Sequence, residues 1–316
     1  MLATAKNCPP SRRFASTTVR EGQRALNPSS ASRRSFLKGS ASAVLVSGLG
    51  SGLLSACGGG LDGTDLPDTP RLASVSNFRD LAGVGAGYLT VDAKRVRRGV
   101  FYRANALTLS TADEATLGQL GIASVYDLRT PGEIERSADV LAGGASVQTL
   151  NVLGTSDFVT PALDTAAAAV AFMESQARAY VNGGAQRAAY GELLTDLANS
   201  TGVQLFHSNA GKDRAGWVAA LLLSIANVPL DVIMQDYLLS NTYLIQSINA
   251  QIETLRAQDG DAVVTIETPL LEVQESYLQA GFDQVQASYG TMERYLTRGL
   301  GMSQTTIDTL RSRLVS

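Results

Sequence analysis

From Val203 to Val228 the chain passes from an apolar stretch, Val203-Gln204-Leu205-Phe206, through His207-Ser208-Asn209-Ala210-Gly211-Lys212-Asp213-Arg214-Ala215-Gly216, into an apolar segment beginning at Trp217. The first stretch predicts a buried strand and the last a buried helix. Small residues between a strand end and a helix start make an anion site, because backbone N–H groups converge there and the helix dipole adds partial positive charge. Lys212 and Arg214 add two formal charges, and the Arg fork suits two-point binding of an oxyanion.

These residues need a scaffold. Val100–Arg103, Ile122–Tyr126, Ser146–Val152 and Val203–Phe206 read as short strands. Thr111–Leu120 reads as a helix capped by Ser110 or Thr111, with Asp113 and Glu114 in its first turn and Gly121 at its end. Ala162–Tyr180, Gln186–Ala198, Asp231–Leu239, Asn241–Arg256, Glu272–Ala280, Thr291–Leu296 and Ser303–Leu314 also read as helices. Strands alternate with helices in the first half and helices dominate the second. The expected fold is α/β, with a mostly parallel central sheet flanked by helices and a helix-rich C-terminal half. Ligands in such sheets sit at the carboxyl ends of strands, where the Ser208 loop falls.

The spacing from Ser208 to Arg214 is that of a Cys-x5-Arg phosphate loop, and H-C-x-x-G-K-D-R-x-G is its form in bacterial tyrosine and dual-specificity phosphatases, some similar to phosphoinositide phosphatases. Other segments agree in order: Asn77-Phe78-Arg79-Asp80-Leu81-Ala82-Gly83 is similar to N-F-R-D-L-G-G, Gly99–Ala104 to G-x-x-Y-R-S, Asp127-Leu128-Arg129-Thr130-Pro131-Gly132-Glu133 to D-L-R-T-x-x-E, and Asp236–Asn241 fits downstream. The chain thus resembles the bacterial tyrosine-protein phosphatase family over nearly all of Ser74–Leu314 and departs from it at the nucleophile, where Ser208 stands for Cys.

The resemblance implies a cysteine-dependent phosphatase-like fold and a set of roles. Ser208 to Arg214 would bind phosphate through Ser208, Asn209, Ala210, Gly211, Lys212, Asp213 and Arg214. Arg214 would clamp two phosphate oxygens; its alternative is a structural pair with an acid. Lys212 would meet a second phosphate, as on a phosphoinositide, or is a solvated surface cation. Asp213 or Asp127 would be the general acid, each alternatively a local capping carboxylate. His207, Arg79 and Asp80 would support the loop, and Trp217 would pack the core. A serine hydroxyl is far more basic than a thiol and no adjacent base is evident, so little or no turnover is expected by the family mechanism. The chain is then an impaired phosphomonoesterase or a pseudophosphatase that holds phosphotyrosine, phosphoserine/threonine or a phosphoinositide. A serine hydrolase using Ser208 and His207 is the weaker alternative, because no G-x-S-x-G elbow surrounds Ser208.

Residues 1–56 read as an address rather than as fold. Ser32-Arg33-Arg34-Ser35-Phe36-Leu37-Lys38 matches the twin-arginine export pattern, a modest apolar stretch follows, and Leu54-Ser55-Ala56-Cys57 resembles a lipobox in which Cys57 is lipidated. The expectation is an exported cell-envelope lipoprotein held to a membrane through Cys57. Residues 57–70 read as a flexible tether and 71–316 as one tyrosine-phosphatase-like domain.

Residues 1–56 hold eight of the 26 Lys and Arg and one of the 29 acids, so residues 57–316 carry a net charge of −10. Such a surface repels nucleic acid. Cys8 and Cys57 are the two cysteines and His207 the single histidine, a ligand set too poor for structural zinc, and no cofactor is expected.

Overall fold

The computed structural model describes residues 69–141 and 143–316. The twin-arginine motif, the Cys57 lipobox and most of the tether lie outside the described residues.

Five strands form one sheet: β1 (Arg79–Asp80), β2 (Phe101–Ala104), β3 (Ile122–Asp127), β4 (Ser146–Thr149) and β5 (Val203–His207), in the order β1-β2-β5-β3-β4. β1 pairs antiparallel with β2, and every other pairing is parallel. β5 is therefore central, and His207 pairs with Ala104 on one side and Asp127 on the other. The loop that leaves β5 emerges between the ends of β2 and β3, where parallel strands open a crevice.

The helices are α1 (Thr111–Gly118), α2 (Pro131–Arg136), α3 (Ala166–Asn182), α4 (Gly184–Asn199), α5 (Arg214–Ile225), α6 (Leu230–Asp259), α7 (Asp261–Leu271), α8 (Glu275–Tyr289), the short α9 (Met292–Arg294) continued by a π turn Tyr295–Gly299, and α10 (Gln304–Leu314). Ser110 caps α1 by accepting from the Asp113 N–H at 3.2 Å. Helix α5 carries the long apolar run, and its residues from Trp217 to Leu223 are buried, which makes it the central helix of the core.

Two expectations change. Asp231–Leu239 and Asn241–Arg256 are one 30-residue helix, α6. Ser240 and Asn241 do not end it because their side chains find partners outside it. The Ser240 hydroxyl accepts from Arg79 at 3.2 Å, and the Asn241 amide bonds both Val273 N–H (2.8 Å) and Val273 carbonyl (2.9 Å). Helix α7 was not foreseen. Its Val263-Val264-Thr265-Ile266 run and Pro269 argue locally against a helix, and packing against α3 and α6 overrides that preference. No described helix is long and apolar enough to cross a membrane.

Candidate functional site

β5 delivers His207, and the loop Ser208–Asp213 turns directly into α5. The scaffold holds this loop by its carbonyls. The Asn209 carbonyl accepts from Ala106 N–H at 3.0 Å, the Ala210 carbonyl from Asn77 Nδ2 at 2.9 Å, and the Gly211 carbonyl from Arg103 Nη2 at 2.8 Å. In a planar trans peptide the N–H points opposite to the C=O. Three carbonyls turned out to the scaffold therefore turn the N–H groups of Ala210, Gly211 and Lys212 the other way; of these residues Ala210 and Lys212 line the cavity over the loop. Gly211 makes this possible: its φ is +68°, and a Cβ there would lie 2.2 Å from the Ala104 carbonyl oxygen.

Over the loop lies a cavity of about 380 Å³. Ser208, Asn209, Ala210, Lys212, Asp213 and Arg214 line its floor, with Glu133 beside them; α3, α6 and α7 contribute wall residues including Phe172, Leu244 and Leu270.

The expectation for Arg214 gains a partner. Nη1 and Nη2 donate to the two Glu133 oxygens at 2.7 and 2.6 Å, and Nη1 also reaches the Leu128 carbonyl at 3.4 Å. A guanidinium has five N–H donors, so Nε–H and the second Nη2 hydrogen remain, on one edge of the fork, for a ligand. Burial alone would raise the Glu133 carboxyl, but the bonds and charge of Arg214, with bonds from Thr130, hold it below the usual range. Glu133 is also the N3 residue of the α2 capping box: its Oε2 accepts from Thr130 N–H (2.9 Å) and Thr130 hydroxyl (3.0 Å). One carboxylate thus starts a helix and orients Arg214.

Lys212 is not a free surface cation. Only 5% exposed, it lies 2.9 Å from Asp213 Oδ2 and donates to the Glu272 carbonyl at 3.2 Å. Asp213 lines the cavity, as Ser208 does. Asp127 is not among the residues that line the cavity. Its two oxygens take Arg129 Nε at 2.9 Å and Nη2 at 2.8 Å. Its partner set is structural.

His207 is fully buried, with Nε2 3.1 Å from Asp139 and 3.9 Å from Asp127. Its Nε2 thus faces two carboxylates. Asp127, Asp139 and His207 bring three ligand-type atoms within 4.8 Å of one another. The Arg129 guanidinium, 2.8 Å from Asp127 and 2.9 Å from Asp139, already supplies positive charge between the two carboxylates, so the group does not fit a metal ion. Burial would raise the Asp139 carboxyl, but His207, the Leu107 N–H and Arg129 hold it low.

Beneath the loop a second buried network converges on Asp236. Arg103 Nη1 meets Asp236 Oδ2 at 3.0 Å, Arg79 Nε lies 3.6 Å from Oδ1, and the Tyr88 hydroxyl donates to Oδ1 at 3.2 Å. Arg79 also donates to Asn77 Oδ1, so it steadies the side chain that holds the Ala210 carbonyl. Burial, and then the neighbouring Arg79 charge, push Arg103 down to about 9, against the pull of Asp236. Asp80 serves a turn instead: its oxygens accept from Ala82 N–H at 2.9 Å and Gly99 N–H at 2.7 Å. Trp217, 1% exposed, is tilted against Phe282 and Tyr295 in the core.

Residues 70–316 match the tyrosine phosphatase family along their whole length. The chain belongs to the tyrosine phosphatase family. Its relatives include a protein of Cupriavidus necator bearing a tyrosine-protein phosphatase name, 36% identical over 259 residues, which are 74% of this chain and 89% of that one. The triple specificity protein phosphatase PtpB of Mycobacterium tuberculosis is 32% identical over 286 residues, 78% of this chain and 98% of the relative. A tyrosine-protein phosphatase of Nostoc commune is 34% identical over 140 residues, 43% of this chain and 46% of the relative.

In the sequence Glu133, Arg103, Asn77 and Asp236 stand only as letters of motifs, and nothing there marks Asp139. The signal for Glu133 was present in the Thr130-x-x-Glu133 capping pattern, but that pattern predicts a helix start and says nothing of Arg214. For the others, a charged residue inside an apolar strand or helix was the clue: Arg103 in β2 and Asp236 in α6 must find charge partners to be buried at all.

Proposed function

We propose that this member of the tyrosine phosphatase family binds phosphomonoesters in the Ser208–Arg214 loop and turns them over poorly or not at all. The observation that carries the reading is the charge pairing around Ser208. Ser208 is 2% exposed at the cavity floor. Each carboxylate lining the cavity is engaged by a cation, Asp213 by Lys212 and Glu133 by Arg214, and the imidazole of His207 sits against Asp139. The charge of Asp213 and of Glu133 is thus spent on a neighbouring cation, although Asp213 Oδ1 itself has no hydrogen-bond partner. A thiol in this place would ionise in the field of the loop N–H groups and attack phosphorus; a serine hydroxyl stays protonated there and is a weak nucleophile. The binding half of the machinery, inward N–H groups and one open edge of Arg214, does not depend on that change.

The twin-arginine motif and Leu54-Ser55-Ala56-Cys57 support an exported lipoprotein that meets its ligand at the cell envelope.

The test is release of phosphate from a generic aryl phosphate by the chain and by Ser208→Cys. The reading expects release by the variant alone, with saturable phosphate or vanadate binding by both. Comparable turnover by the unaltered chain would defeat the argument about serine, and silence from both with no anion binding would remove the site.

A further inference from the structure

The cavity above the loop combines a charged floor with an apolar wall, and together they narrow the ligand class. The inference rests on the anion-site reading above.

The charged residues lining the cavity are Glu133, Lys212, Asp213 and Arg214: two acids and two cations, paired one to one. The floor offers loop N–H groups and the open edge of Arg214 to one phosphate. Its walls hold no surplus formal cation for a second. A polyphosphorylated head group would press its further phosphates against uncharged side chains and lose their hydration without return.

Phe158, Phe172, Leu244, Ile248, Leu270 and Leu271 supply the apolar wall. They come from the loop after β4, from α3, and from the facing sides of α6 and α7. On α6 the lining residues Leu244, Ser247, Ile248 and Gln251 fall at i, i+3, i+4 and i+7, one face of the helix and about 10 Å of its length. A cavity of about 150 Å³ is enough to hold benzene, so the space here exceeds what one aromatic ring fills. A peptide would bring backbone N–H and C=O groups that need partners; Thr160, Gln176, Ser247 and Gln251 also line the cavity, but the six apolar side chains offer none.

The geometry points to an amphiphilic phosphomonoester as the ligand: one terminal phosphate on a linear alkyl or isoprenoid body. The phosphate sits in the loop and the body lies along α6 between Phe172 and Leu270.

The test is calorimetric titration of the full chain with inorganic phosphate, phenyl phosphate, butyl, hexyl and octyl phosphate below their micellar concentrations, inositol trisphosphate, and a phosphotyrosine peptide. Affinity should rise roughly two- to fourfold per methylene, octyl phosphate should exceed phenyl phosphate and the peptide, and the trisphosphate should bind no tighter than inorganic phosphate. Leu270→Asn, at a partly exposed position, and Ile248→Asn should flatten the chain-length dependence. A flat alkyl series in the unaltered chain, or tighter binding of the trisphosphate or the peptide, overturns the amphiphile while inorganic phosphate binding leaves the anion site standing. Absence of inorganic phosphate binding overturns both.

Discussion

Arg214 and Glu133, 81 residues apart in the chain, close a two-point ion pair at 2.7 and 2.6 Å with both side chains less than a tenth exposed. The pair fixes which edge of the guanidinium is left for a ligand. It also ties the start of α2 to the start of α5, because the same carboxylate completes the Thr130 capping box.

Glu133→Gln should therefore do two things. It leaves a buried cation without its counter-charge and should lower stability by about 3 kcal/mol. An added phosphate restores an anion to Arg214, so the loss should be smaller with phosphate present than without. Denaturant unfolding at both conditions checks this, and equal losses would mean that phosphate does not reach Arg214.

Asp236 neutralises two buried cations at once. Asp236→Asn should cost about 3–5 kcal/mol. Arg103→Met keeps the Asp236–Arg79 contact but withdraws the donor from the Gly211 carbonyl, so its main expected effect is on the loop: a fall in phosphate affinity of about tenfold, the size of one lost hydrogen bond to a charged group. Unfolding curves and phosphate titrations on the two variants separate the roles. Unchanged phosphate affinity in Arg103→Met would show that the loop holds its shape unaided.

At Gly211 the backbone is left-handed and a side chain has no room. Gly211→Ala should lose at least about 2 kcal/mol from the conformation alone, before the clash with Ala104. Phosphate binding should fall with it, because relief of the clash requires the peptide that carries the Lys212 N–H to move. Retained binding in a folded variant would contradict the loop geometry described above.

The pH response contains a signature of Asp80. Burial pushes its carboxyl up to about 6, against the Ala82 and Gly99 N–H bonds and the Arg98 charge. The folded state then binds this proton more tightly than the unfolded chain does. Stability from this group is complete below the ordinary carboxylate value, is lost as pH rises through about 6, and is level above that, a change of about 3 kcal/mol. Asp80→Asn should lack that step while carrying a pH-independent offset from its poorer acceptor. The quantity to measure is the difference between the two unfolding free energies from pH 4 to 7, and a constant difference would rule the step out.

Much of the architecture was written locally. β3 and β5 declare themselves as short β-branched or apolar runs, α1 by its Ser110 cap and acidic first turn, and the anion loop by small residues between a strand and an apolar helix. Each signal depends on neighbours within a few positions, through hydrogen bonds or periodicity that any fold containing the segment would keep. The boundaries of α6 and the existence of α7 were not legible in this way, because Ser240, Asn241 and Pro269 read locally as breaks and only packing against distant elements reverses that reading.

The same division runs through the site. In the sequence, Ser208 stands where the family resemblance implies the nucleophile, Arg214 stands seven residues from His207, and Asp213 lies beside Lys212; the last two need only the order of residues. What neutralises each charge was decided by tertiary structure. Arg214 found Glu133, Arg103 found Asp236 at a separation of 133 residues, and Asp127, a plausible acid by motif, was taken by Arg129. A buried charge accepts whichever partner the fold brings within about 3 Å, and that choice follows from how β2, α2 and α6 pack around β5, which no local pattern encodes.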